Sequence, residues 1–98
     1  MKAVIIYSLG ESWEEGKPFW EQKLRPHREY LVNVLQERLV SAGPFLDHTG
    51  GLVIMEVERL EDAELVAKND PAVIDGRFNY QVHPWKPLEG LFVEDNKQ

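Results

Sequence analysis

The sequence predicts an α+β domain, a ferredoxin-like βαββαβ sandwich in which a four-stranded antiparallel sheet carries two helices on one face. Short stretches of β-forming residues alternate with stretches whose apolar residues recur every three or four positions. Glycine and proline stand at the junctions. The strands are also apolar on both faces, and 98 residues leave no element to cover the second one. A second copy of the chain is the economical cover, so a homodimer is expected.

The elements follow in order. Residues 2–8 read as the first strand, with Ala3, Ile5 and Tyr7 on one face and Val4 and Ile6 on the other. Residues 10–25 have no sustained period; Gly10, Gly16 and Pro18 punctuate a long loop or lid holding Trp13, Phe19 and Trp20. Aromatic residues argue against disorder there, so the loop either packs on the surface or lines a pocket. Residues 26–41 predict the first helix, with Leu31, Val34, Leu35 and Leu39 as its stripe, Pro26 at its first position and Gly43 as its stop. Gly43 to Asp47 form a short extended run, and His48-Thr49-Gly50-Gly51 a hairpin turn. Residues 52–58 are the third strand and residues 60–69 a helix with Ala63, Val66 and Ala67 inward. Asp70-Pro71 ends that helix, since the residue before proline avoids helical geometry. Residues 78–85 are the last strand, and residues 88–98 a mostly polar tail with Leu91, Phe92 and Val93 available for packing. One domain, 1–98, accounts for the chain.

Bulk properties exclude several functions. The net charge is −6, with the acidic residues dispersed, which disfavours nucleic acid because phosphate binding needs clustered cations. There is no cysteine, hence no disulfide and no thiolate ligand or nucleophile. No stretch approaches the roughly 20 apolar residues of a membrane helix, and the N-terminus lacks a signal peptide's pattern. A cytoplasmic location without membrane contact is the expectation.

The topology gathers polar residues at one edge. With the first strand running up, the first helix starts at the top with His27, the second strand delivers Asp47 and His48 there, and the second helix delivers Asp70. A histidine at a helix start feels the positive end of the dipole, which favours a neutral imidazole suited to act as a base. Asp47 or Asp70 would orient it; which of them does so is open. Asp70 has an equally good reading as a turn residue. Tyr7 at the strand end could donate a hydrogen bond, and Arg28 beside His27, with Arg25 nearby, could meet a carboxylate or phenolate. Trp13 and Trp20 are the loop's candidates for ligand contact. The three histidines lack the close spacing of a metal site, no phosphate-binding glycine loop or nucleophile elbow is present, and neither cofactor nor metal is expected.

His27 with Tyr30-Leu31, Gly43-Pro44 with Asp47 and Gly50-Gly51, Ala63, Asp70-Pro71 and the closing Val82-His83-Pro84-Trp85 together resemble the YCII-related (YciI-like) family over nearly the whole chain. The resemblance implies a dimeric α+β barrel of ferredoxin-like subunits and a His–Asp pair in a pocket, the histidine falling on His27 and the aspartate on Asp47 or Asp70. One branch of that family is similar to a dehydrochlorinase of chlorinated hydroxyquinols. The expected function is therefore acid–base lyase or isomerase chemistry on a small polar or aromatic substrate. A non-catalytic ligand-binding dimer is the alternative. The long loop at 10–25 departs from the shortest members of the family.

Overall fold

A computed structural model describes residues 1–93. Four strands, β1 (Lys2–Leu9), β2 (Leu39–Pro44), β3 (Gly50–Glu56) and β4 (Phe78–Trp85), form one sheet in the order β2-β3-β1-β4. Every neighbouring pair is antiparallel. Helices α1 (Arg25–Leu35), α2 (Leu60–Lys68) and α3 (Pro71–Ile74) complete the α+β sandwich. The core lies between helices and sheet, where Ala3, Ile5 and Tyr7 of β1 and Val53 and Met55 of β3 meet Leu31, Leu35, Ala63 and Val66. Strand alternation puts Val4, Ile6, Leu52 and Ile54 on the other side of the sheet. Among the described residues no helix is long and apolar enough to cross a membrane.

The first helix is shorter than its apolar stripe implied. It stops at Leu35, a 3-10 turn covers Gln36–Arg38, and β2 begins at Leu39. Gln36, with φ 51°, turns the chain while its N–H still reaches the Val32 carbonyl. Leu39 packs on the same core from a strand, paired with Met55, that it would reach from a further helical turn. Periodicity alone does not separate the two placements. Val34, counted in the stripe, is 38% exposed. The extended run expected at 43–47 is thus the end of β2 and part of a connection.

The hairpin turn also moves. It consists of Phe45 to Thr49, closed by Phe45 N–H to Gly50 O at 2.8 Å, and its positive φ belongs to His48 at 64°. Gly50 and Gly51 are strand residues, so β3 starts two residues before the expected Leu52. Gly50 is required by close approach: at φ 145° a Cβ would run into the Tyr7 carbonyl of the neighbouring strand. The short helix α3 is an addition to the expected two. Pro71 stands at its start and Asp70 is its cap, in extended geometry that proline imposes on its predecessor. Of the C-terminal tail, Leu91, Phe92 and Val93 are all exposed, Leu91 most fully; 94–98 lie outside the described residues.

A buried cap aligns a histidine on an apolar cleft

Asp70 is the buried centre of the site, with 0% of its surface exposed. Its Oδ1 accepts the Ala72 N–H at 2.9 Å, capping α3. Its Oδ2 accepts the Tyr7 hydroxyl at 2.9 Å and lies 2.7 Å from His27 Nδ1. A carboxylate only accepts, so Nδ1 carries a proton, and in the neutral imidazole Nε2 then keeps its lone pair. His27 stands in the first turn of α1 with 13% of its side chain exposed. Tyr7 and Phe78 meet its ring edge-on, with centroids at 5.1 and 5.4 Å, so the imidazole plane is held as well as its tautomer. Tyr30 ties the same helix to α2, its hydroxyl donating to the Val66 carbonyl at 2.8 Å.

A cleft of about 550 Å³ opens against this pair. Tyr7, His27, Arg28 and Leu31 line it from β1 and α1, Phe19 from the loop, and the glycines of β2 and β3 from the sheet. Its walls are mainly apolar, which suits a small organic ligand oriented by a few polar groups.

The other expected residues fall in different places. Asp47 is exposed at the hairpin, where Oδ1 accepts the Thr49 N–H at 3.2 Å and the Thr49 hydroxyl at 2.6 Å. That hydroxyl contact, before the weaker pull of His48, holds its carboxyl below the usual range. Asp47 shapes the turn, and Asp70 is the carboxylate at His27. Trp13 stacks on the back of Phe78 at 5.7 Å, one layer behind the cleft, and Trp20 is 67% exposed beside His48. Neither lines the cleft; Phe19 is the loop aromatic that does. His83 pairs with Val4 across the sheet, on the face away from the helices. Among the described residues no group of three or more His, Cys, Asp or Glu could hold a metal ion.

The loop is built around Gln22, whose importance the sequence gives no sign of. Fully buried, it donates from Nε2 to the carbonyls of Glu14 and Lys17 at 2.8 and 2.9 Å and accepts the Glu14 N–H at Oε1 at 2.9 Å. The start of the loop is tied to the α3–β4 connection by Gly10 N–H to Arg77 O and Ser12 N–H to Gly76 O, each at 2.8 Å. Phe78 was legible only as a strand start.

Burial, and after it the charge of Asp70, pushes the Tyr7 hydroxyl far above its ordinary value; the same causes raise Tyr30 more weakly. Folded Tyr7 therefore keeps its proton where an unfolded tyrosine loses it. The stabilisation is whole below about pH 10 and falls as pH rises beyond that, by at most about 1.4 kcal/mol per pH unit for one group. Denaturant unfolding of Tyr7→Phe should show a loss of about 1 kcal/mol at neutral pH and a shallower alkaline decline than the wild type. Parallel declines above about pH 10 would contradict this assignment.

Comparison with known proteins places these features in context. A model of the YCII-related domain matches residues 9–86. An uncharacterised protein of Bacillus subtilis (strain 168), YjpA, is 35% identical over 69 residues, covering 69% of this chain and 81% of that protein. Among solved structures, the 5-chloro-2-hydroxyhydroquinone dehydrochlorinase TftG of Burkholderia phenoliruptrix AC1100, in complex with 2,5-dihydroxybenzoquinone, superposes with a TM-score of 0.69 at 26% identity. That alignment covers 88% of this chain and 94% of TftG.

Proposed function

The chain belongs to the YCII-related domain family, and from that premise we propose that it is a small-molecule enzyme whose base is His27. One observation carries the reading: a buried carboxylate holds Nδ1–H, leaving a bare Nε2 in an imidazole that lines an apolar cleft. Nε2 takes a proton from a ring hydroxyl or from a carbon beside a carbonyl. The electron pair left behind either expels a leaving group elsewhere on the ring or is reprotonated at another position, giving lyase or isomerase chemistry respectively. Asp70 stabilises the imidazolium that forms, and Tyr7 holds the carboxylate in place. The likeness to a dehydrochlorinase of a hydroxyquinol supports a small oxygenated ring as substrate. No separate cofactor enters this scheme, and a cytoplasmic setting is part of it.

A panel of hydroxyquinols with and without ring chlorine tests it. Wild-type protein is expected to convert at least one, with chloride release or deuterium uptake from heavy water at a ring carbon. Binding across the panel without any conversion would favour a ligand-binding protein with no chemistry of its own.

The same proposal includes a homodimer. Val4, Ile6, Leu52 and Ile54 share the sheet face away from the helices, and a second copy laid on it would bury them. Sedimentation equilibrium should return twice the 11.4 kDa chain mass at micromolar concentration; the single-chain mass would contradict pairing.

A further inference from the structure

Resting on the acid–base reading of the cleft, we infer that its ligand is a planar ring carrying an anionic oxygen, with Arg28 meeting the anion and Phe19 the ring. The chain carries −6, yet no Asp or Glu lines the cleft, and Arg28 does. Two other arginines are engaged with carboxylates: Arg25 lies 3.9 Å from Glu29, and Arg77 meets Glu14 and Asp75 at 3.1 and 3.0 Å. The Arg28 guanidinium has no hydrogen-bond or ion-pair partner among the described residues; its backbone N–H donates to the Leu24 carbonyl. Arg28 also stands in the opening turn of the eleven-residue α1, where the backbone adds positive potential. Asp70 itself is not on the cleft wall: it lies behind His27, with three donors on its carboxylate.

Phe19 and the glycines set the shape of the cleft. Phe19 sits on a 3-10 turn, Phe19–Glu21, immediately before Gln22, the buried amide that closes the loop. Its ring is braced by Trp20 at 5.1 Å and His48 at 5.6 Å, so a loop aromatic is presented to the cleft on a fixed support. Gly43 and Gly51 line the sheet side with no side chain, and a Cβ at Gly43 would enter open space. Phe19 and the side-chain-free glycines share the cleft's lining, which suits a flat ring, and Arg28 in the same lining orients the charged end.

Nuclear magnetic resonance titrations with benzoate, benzamide and cyclohexanecarboxylate test both parts without needing turnover. Benzoate should shift the α1 first-turn amides saturably and bind about tenfold more tightly than neutral benzamide, the margin of one charged contact. Arg28→Gln should erase that ratio while both probes still bind. Phe19→Leu should weaken benzoate about threefold or more and leave the puckered cyclohexanecarboxylate little changed. Equal affinities for benzoate and benzamide, a ratio that survives Arg28→Gln, equal effects of Phe19→Leu on flat and puckered rings, or no saturable benzoate shift would each overturn the inference. Arg28-dependent benzoate binding with no conversion of any hydroxyquinol would sink the acid–base reading alone. Conversion without preference for the anion would sink this one alone.

Discussion

His27→Asn is expected to remain folded and to lose about 10²–10⁴-fold in turnover, the usual contribution of a positioned base. Asparagine is the informative replacement because its amide nitrogen falls near the place of Nδ1. It can still donate to Asp70 Oδ2, now met at 2.7 Å, so the buried carboxylate keeps its donors. What disappears is Nε2 and part of the ring packed against Tyr7 and Phe78. Thermal unfolding should register a modest loss, about 1–2 kcal/mol, and ligand titrations should still find the cleft. Undiminished turnover in a folded His27→Asn protein would remove the histidine from the chemistry.

Asp70→Asn should do damage on both counts. The amide oxygen can still cap Ala72 N–H, preserving the start of α3. The amide nitrogen then takes the place of Oδ2, where the Tyr7 hydroxyl and His27 Nδ1–H both need an acceptor. To accept a hydrogen bond from the amide, the imidazole must move its proton to Nε2, and a protonated Nε2 is no base. In Ser-His-Asp triads the corresponding change costs about 10⁴ in turnover, and a loss of that order is expected here. Stability should fall by about 1–3 kcal/mol, the cost of one mispaired buried donor. Asp70→Ala, which strands all three donors, should cost more. Steady-state turnover beside denaturant unfolding separates the two effects, and a stable Asp70→Asn protein with full turnover would contradict the role given to Asp70. An Asp47→Ala change, by contrast, touches an exposed turn residue and should leave turnover unaltered.

The two aspartates illustrate how far the sequence could be read. Topology was enough to bring His27, Asp47 and Asp70 to one edge, because strand directions follow from the order of elements. It could not choose between the carboxylates. That choice depends on side-chain direction, and Asp70 gets its direction from being the cap of α3, an unforeseen helix of four residues. The bland reading of Asp-Pro as a turn and the functional one are the same fact: the proline holds Asp70 extended, and the carboxylate so placed reaches both α3 and His27. Element identity was legible wherever one period ran uninterrupted, as in β1 and β4. It failed at Leu39, where a strand residue fills the spot a further helical turn would have filled. Gly50 and Gly51 were legible as special residues but for the wrong reason, since the contact that excludes a side chain at Gly50 comes from β1, more than forty residues away. The loop was the least legible part. Its tryptophans drew notice by size, whereas the residue that organises it, Gln22, is ordinary in composition and acts through three hydrogen bonds to backbone groups.

The central claim is that Asp70 holds His27 in the tautomer that leaves Nε2 bare. A long-range ¹H–¹⁵N correlation spectrum of the imidazoles, recorded at about pH 8.5 where an ordinary histidine is neutral, reads that tautomer directly. The result predicted is a protonated-type Nδ1 and a lone-pair-type Nε2 for His27, reversed in Asp70→Asn. A wild-type His27 with its proton on Nε2 would contradict the account.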